Sequence, residues 1–143
     1  MTTLLISSQI CRSCRQVEIF RMDLILLTLG DLAELEPAET MTDITLRWDI
    51  GPSIEEALPI VKRWRHLRRL TFSFSLPEGI LVPPLKVLSD FILEMKHLSH
   101  LHIAPHRYPY TGYGQLEILR DKVNEFILPR RPNFTFDISC WDD

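Results

Sequence analysis

The sequence is short of cysteine and of long apolar runs, and both shortages exclude classes of protein. Its three cysteines, Cys11, Cys14 and Cys140, cannot all pair within one chain, and the first residues do not resemble a signal peptide. We therefore expect a reducing intracellular location, cytoplasmic or nuclear. The longest apolar runs, such as LILLTL at 24–29, fall far short of the roughly 20 residues that cross a bilayer, so no membrane contact is predicted.

An excess of positive charge and the common catalytic motifs are also missing. A net charge of −3 predicts no general attraction to nucleic acid. No G-x-S-x-G, P-loop, G-x-G-x-x-G or H-E-x-x-H occurs, so we predict neither an enzyme nor a cofactor. The 143 residues, 45% apolar and 24% charged, are enough for one folded domain with its own core.

A repeat is present instead, with the pattern apolar-x-x-apolar-x-apolar. Clear copies are MTDITL at 41–46, LRRLTF at 67–72 and LSHLHI at 98–103. Weaker copies are CRQVEI at 14–19 and RPNFTF at 131–136, where Arg131 stands in the first apolar position. The copies begin 27, 26, 31 and 33 residues apart, a period that is typical of repeat proteins.

Each copy continues with the alternation of a strand, and helical segments lie between the copies. SIEEALPIVKRWRHL at 53–67 opens with capping-box spacing, and Pro59 is expected to break it. In PPLKVLSDFILEMKHL at 83–98 the predicted stripe is Leu85, Leu88, Ile92 and Met95. In GQLEILRDKVNEFI at 114–127 the predicted stripe is Leu116, Leu119, Val123 and Phe126.

Two further segments precede the first clear copy of the repeat. Residues 2–14 are predicted to form an N-terminal helix, and residues 23–35 fit either a buried helix or a short strand. The predicted fold is a single α/β domain over 1–143, an irregular solenoid with a parallel sheet on one face and helices on the other. It has about five units, with strands near 17–20, 44–50, 70–74, 100–104 and 134–139.

The short repeat core resembles a leucine-rich repeat, and its long, uneven period resembles the repeat region of fungal F-box/leucine-rich-repeat proteins. The resemblance implies protein recognition, with substrate selection for ubiquitination as the wider role. The Asn or Cys that follows the sharpest repeats is absent, since Ala104 follows LHI. LPEGILVPPLKVLSDFI at 76–92 opens like an F-box, but the strand LSHLHI interrupts the span that an F-box would need, so no F-box is predicted.

The polar residues between the inward-facing ones predict an open sheet face with three rows of side chains across the strands. Such a face is either a recognition surface or an ordinary solvated sheet face. The rows are Gln16, Asp43, Arg69, His100 and Asn133; Glu18, Thr45, Thr71, His102 and Thr135; and Phe20, Arg47, Ser73, Ala104 and Asp137.

His97, His100, His102 and His106 invite a metal interpretation. His100 and His102 leave the same face of a strand, but zinc needs three or four ligands. The neighbours expected on adjacent strands are Arg69, Thr71 and Thr135, which are poor metal ligands. We therefore predict no metal site and interpret these histidines as recognition residues.

Three other motifs each have a functional and a structural interpretation. Cys11 and Cys14 form C-x-x-C, which we interpret as buried structural thiols rather than a redox pair. KRWRHLRR at 62–69 could serve nucleic acid, but its charges spread over several faces and suit a helix end, so no nucleic-acid partner is predicted. Tyrosines in the loop HRYPYTGYGQ could line an interface or fold back onto the edge of the sheet; they are Tyr108, Tyr110 and Tyr113.

The sequence thus predicts a module that binds a protein partner through its sheet face. The alternative is a small α/β enzyme or ligand-binding domain with a pocket at the strand ends, where the strand order reverses. Self-association through the exposed ends of the solenoid is also predicted. The predicted partner-binding residues are Arg47, Arg69, Thr71, His100, His102, Asp137, Tyr108, Tyr110 and Tyr113.

Overall fold

The computed structural model describes residues 3–5, 19–23, 41–48, 53–74, 82–105 and 113–139. Within these ranges strands and helices follow one another along a single parallel sheet. In chain order they are β1 Thr3–Leu5, β2 Ile19–Asp23, β3 Asp43–Trp48, α1 Ile54–Val61, β4 Arg69–Phe74, α2 Leu85–Glu94, β5 His100–Pro105, α3 Tyr113–Ile127 and β6 Thr135–Ile138.

Strand order in the sheet is the same as strand order in the chain. Each described strand from β2 to β6 pairs in parallel with the strand before it. Parallel neighbours need a crossover, and α1, α2 and α3 provide it between β3 and β6. The predicted α/β fold with a parallel sheet that alternates with helices is therefore confirmed.

The register of the three central strands agrees with the predicted rows. Asp43, Arg69 and His100 lie opposite one another, and so do Thr45, Thr71 and His102. Their apolar neighbours face the helices instead, and Leu46, Leu70, Phe72, Leu101 and Ile103 are fully buried. One face of the sheet is thus core and the other is open.

The predicted register is wrong at β6 by two residues. His100 pairs with Thr135 rather than Asn133, and His102 pairs with Asp137 rather than Thr135. Phe134, rather than Arg131, takes the position of Leu67 and Leu98, because the amide of each of these residues closes the turn before a strand. The paired part of β6 then begins one residue sooner after this turn than it does in β4 or β5.

The predictions for the N-terminal strands also need correction. Residues 3–5 lie in a strand that pairs with β2, not in a helix, because the parallel partner outweighs the local helical pattern. Strand β2 covers Ile19–Asp23 rather than 17–20, and Ile19 lies opposite Asp43. Phe20 therefore shares a row with Ile44, not with Arg47, whose partner in β2 is Asp23. Gln16 and Glu18 lie outside the described residues.

The apolar repeat positions form one core between the sheet and the helices. Met41, Leu67 and Leu98, which open the three clear copies, are all buried. Consecutive helices pack against one another, α1 on α2 and α2 on α3. Trp64 follows α1 and is also buried, so its ring is not available for stacking on a nucleic-acid base.

Helix α1 begins as predicted but does not break where predicted. The hydroxyl of Ser53 accepts a bond from the amide of Glu56, and the Glu56 carboxylate accepts one from the amide of Ser53. The helix continues through Pro59 to Val61. Pro59 is exposed, so the carbonyl that it leaves without an intrahelical donor lies near solvent.

The apolar stripes of α2 and α3 are mostly as predicted. Leu88, Ile92 and Met95 are buried. Leu85 is the first residue of the helix and is 39% exposed. In α3 the core contact at the last turn is made by Ile127, whereas Phe126 is 41% exposed. The guanidinium of Arg130 covers the Phe126 ring at 4.1 Å.

Arg131 has a structural role that the repeat pattern did not predict. Its guanidinium donates to the carbonyl of Leu93 at 2.9 Å and to that of Met95 at 2.8 Å, with a longer bond to Leu98. The Leu93 carbonyl lies in the last turn of α2, where backbone acceptors lack helical partners, and the other two carbonyls lie in the turn that follows. Burial lowers the pKa of Arg131. A charged side chain in an apolar repeat position thus caps the preceding helix.

Strand β6 is the last strand of the sheet, and α3 covers part of its outer edge. The amides of Thr135 and Ser139 donate to the carbonyls of Ser99 and Ile103, so the backbone groups of Phe136 and Ile138 point away from β5. The Asn124 side-chain amide donates to the outward carbonyl of Phe136 at 3.2 Å. One outward backbone acceptor is therefore already bonded.

No helix in the described ranges is long and apolar enough to cross a membrane. Several predictions made from the sequence concern residues outside the described ranges. They are those for the segment 24–35, the loop residues His106, Tyr108 and Tyr110, and the three cysteines Cys11, Cys14 and Cys140.

Candidate functional site on the open face of the sheet

The centre of the open face is polar and reaches solvent. Thr45 and Thr71 are half-buried and Arg69 is exposed. Asp43 lies opposite Arg69 in the register, yet within the described residues neither side chain has an ion pair or hydrogen bond. Arg69 therefore presents a charged fork of donors to any molecule on this face.

Three titratable side chains converge beside this centre. His100 and His102 leave β5 on the same face, and Asp137 lies opposite His102 on β6. The Asp137 Oδ1 atom is 3.5 Å from Nε2 of His100 and 3.9 Å from Nε2 of His102. The candidate ligand atoms of all three residues lie within 4.8 Å of one another. We call these three residues the His/Asp cluster.

The carboxylate of the cluster is only partly satisfied. Its Oδ1 atom is buried and has no hydrogen-bond donor, because both imidazole contacts are too long or badly aligned for a hydrogen bond. His102 has a close partner elsewhere, since its Nε2 lies 2.6 Å from the hydroxyl oxygen of Ser139. The cluster thus contains a desolvated acceptor that faces two imidazole rings.

Burial is also the main influence on the charge of His102. It lowers the pKa of His102 below the ordinary 6.5, because the charged imidazolium loses solvation. The carboxylate of Asp137 acts in the opposite direction and raises this pKa, and His100 contributes a further lowering. The neutral imidazole of His102 is therefore favoured at pH 7, and its Nε2 atom contacts the hydroxyl of Ser139.

The structure brings together five of the predicted contact residues at the centre and edge of the face, namely Arg69, Thr71, His100, His102 and Asp137. Arg47 lies on the same face at the third row, in register with Ser73. Ala104, in that row on β5, is buried. Tyr113 begins α3, away from the sheet rows.

The sequence did not predict that Asp137 joins the histidines. The predicted register placed Thr135 beside His102 and moved Asp137 into the row of Ala104. Ser139 was not singled out either. The alternation FTFDIS contains the signal, because Thr135, Asp137 and Ser139 share one parity, but it does not specify which of them is opposite His102.

The basic run at 62–69 contributes to a different surface. An open groove of about 480 Å³ is lined by the turns that follow α1 and α2. In it the rings of His66 and His97 stack with centroids 5.5 Å apart, and Lys62 pairs with Glu94 at 2.7 Å. The groove lies at the ends of the helices rather than on the sheet face.

Comparison of the chain with models of protein families, with curated proteins and with solved structures gives no match.

Proposed function

We propose that the protein is a recognition module, an irregular leucine-rich-repeat-like solenoid that binds a protein partner through the open face of its sheet. The observation that supports this most directly is the exposed Arg69 at the centre of that face, with no ion pair among the described residues. An arginine fork suits a carboxylate of the partner, and the flanking Thr45 and Thr71 suit its backbone groups. The partner is thus a polypeptide segment that carries an acidic residue.

The strand order favours this proposal over a small enzyme or ligand-binding domain. Pockets of open α/β sheets form where the strand order reverses and neighbouring crossovers diverge. The described strands run in sequence order from β1 to β6, without such a reversal. A face made by many neighbouring strands is instead suited to a macromolecular partner.

The remaining parts of the proposal rest on the sequence. Selection of a substrate for ubiquitination is the role that the repeat resemblance implies, in a cytoplasmic or nuclear setting. Arg47 and the tyrosines Tyr108, Tyr110 and Tyr113 extend the proposed contact surface beyond the central rows. The module is proposed to act by binding alone, without a catalytic step.

Partner capture with matched surface variants tests the proposal. Immobilised protein captures partners, which are identified by mass spectrometry, and the affinity of each purified partner is then measured for Arg69→Glu and Thr71→Arg. The control is Lys86→Glu on the exposed side of α2, which reverses one charge away from the sheet face. We expect at least about a tenfold loss with the face variants and none with the control. Equal binding by all three variants would contradict the proposal.

A further inference from the structure

The His/Asp cluster has the composition of a transition-metal site. Imidazole nitrogens with one carboxylate are a common ligand set for zinc, whereas calcium and magnesium prefer oxygen ligands alone. We propose that His100, His102 and Asp137 bind a zinc ion on the open face of the sheet. This inference does not depend on the partner proposed above.

The distances within the cluster suit an ion placed between its members. Zinc bonds of about 2.0–2.1 Å in tetrahedral geometry put neighbouring ligand atoms roughly 3.3 Å apart. The carboxylate oxygen lies 3.5 Å and 3.9 Å from the two imidazole nitrogens, and all three candidate ligand atoms lie within 4.8 Å. Small rotations of half-buried side chains are enough to close the remaining difference.

The buried carboxylate oxygen provides an independent reason for a cation here. Asp137 Oδ1 is removed from solvent and has no hydrogen-bond donor within the described part of the chain. A desolvated carboxylate oxygen without a partner is costly. A zinc ion between Oδ1 and the two imidazoles would supply the missing positive charge at the atom that lacks it.

The backbone holds the three ligands in place. His100 and His102 are two residues apart on β5, so their side chains leave the same face. Asp137 is fixed opposite His102 by the parallel ladder between β5 and β6. Ligands on rigid strands lose little freedom when a metal binds, which favours affinity.

One existing contact must change when the metal binds. The Ser139 hydroxyl lies 2.6 Å from Nε2 of His102, so it occupies the lone-pair direction that zinc would use. Ser139 is exposed, and its hydroxyl is free to turn toward solvent. The fourth position of the zinc ion then faces solvent and is filled by water, as in three-ligand sites.

Titration of chelator-treated protein with Zn²⁺ by calorimetry tests the inference. We expect one zinc ion per chain and a loss of affinity in His100→Ala, His102→Ala and Asp137→Asn. Each loss should exceed the roughly 10–100-fold that removal of an outer-shell partner costs. Ser139→Ala should bind zinc as tightly as the unchanged protein or more tightly. Cobalt substitution should give the intense visible absorption of a tetrahedral ion, and His102→Ala should abolish it.

Matched histidine controls separate this site from incidental binding. His66→Ala and His97→Ala each remove an exposed imidazole from the groove at the helix ends and should leave zinc binding unchanged. Far-ultraviolet circular dichroism verifies that every variant is folded. No zinc binding by the unchanged protein, or binding that the three cluster substitutions do not weaken, would overturn the inference. Arg69→Glu should retain zinc even where it loses a partner, so the two proposals fail separately.

Discussion

His102 lies at a position where burial, the carboxylate of Asp137 and the imidazole of His100 all act on one ring. Because burial is the largest influence and lowers the pKa of His102, we expect its titration midpoint in the metal-free protein to lie below 6.5. The Asp137 carboxylate raises this pKa, so Asp137→Asn should lower the midpoint further. His100→Ala should raise it slightly. Proton NMR of the imidazole resonances during a pH titration, with a chelator present, measures all three midpoints.

The lowered pKa of His102 also makes the stability of the folded protein depend on pH. As the pH falls below 6.5, the unfolded chain takes up the proton at this residue before the folded protein does. The contribution of His102 to stability is therefore complete above pH 6.5 and declines as the pH falls toward its folded midpoint. A midpoint at or above 6.5 in the folded protein would contradict the assignment of burial as the dominant influence.

The row of a residue on the sheet face was predictable from the sequence only where the register of its strand could also be predicted. Thr71, His100 and His102 were placed correctly because alternation and spacing agree across β4 and β5. Asp137 was placed two residues away from its true row, because the repeat pattern took Arg131 as the residue that opens the copy, whereas Phe134 holds that position in the structure. The cluster depends on that register, which is why it emerged only from the structure.

Helix α2 is an element whose C-terminal end is completed by a distant part of the chain. Arg131 donates to the carbonyl of Leu93, in the last turn of the helix, and to that of Met95, which closes the turn after the helix. We expect Arg131→Ala to lower the free energy of unfolding by about 2 kcal/mol, because charged hydrogen bonds to a partly buried acceptor are lost. Chemical denaturation followed by circular dichroism measures the change.

Two variants make the Arg131 experiment specific. Arg68→Ala removes an exposed arginine side chain and should change the stability by less than about 0.5 kcal/mol. Arg131→Lys keeps the charge but loses the two-pronged geometry, so it should fall between the unchanged protein and Arg131→Ala. If Arg131→Ala were as stable as Arg68→Ala, the capping role would be wrong.

Among the helices and strands, those with strong local sequence signals were predictable. The capping box of Ser53 and Glu56 located the start of α1, and alternation located β3, β4 and β5. The passage of α1 through Pro59 was not predictable from a rule about prolines, because its cost depends on whether the orphaned carbonyl reaches water. The strand at 3–5 depends on its pairing with β2, which is a property of the tertiary fold.

Among the described strands β6 is an edge of the sheet that α3 covers only in part, and such an edge favours contact between copies of the chain. The outward amide of Ile138 has no acceptor within the described residues, whereas the carbonyl of Phe136 is bonded by Asn124. We expect concentration-dependent self-association through this edge. Ile138→Pro should abolish it, because the variant removes an outward donor and leaves the bonds to β5 intact. Sedimentation velocity over a range of protein concentrations measures the association.

The control for this experiment is Ile138→Ala, which loses the same core packing but keeps the amide. It should associate as the unchanged protein does. A monomer at every concentration, or equal behaviour of the alanine and proline variants, would argue against edge pairing.

The sequential pairing of the strands also determines how the sheet can be assembled. Register partners are separated by as few as 16 residues, from Thr3 to Ile19, and at most by 35, from His100 to Thr135. Each pairing therefore closes a short loop, and no strand waits for a distant part of the chain to arrive. We expect pairing to start at β4 and β5 and to spread to both sides, because these strands contribute the fully buried side chains of Leu70, Phe72, Leu101 and Ile103. Since each strand pairs only with its neighbours along the chain, we expect the centre of the sheet to remain folded when the strand at one end is lost.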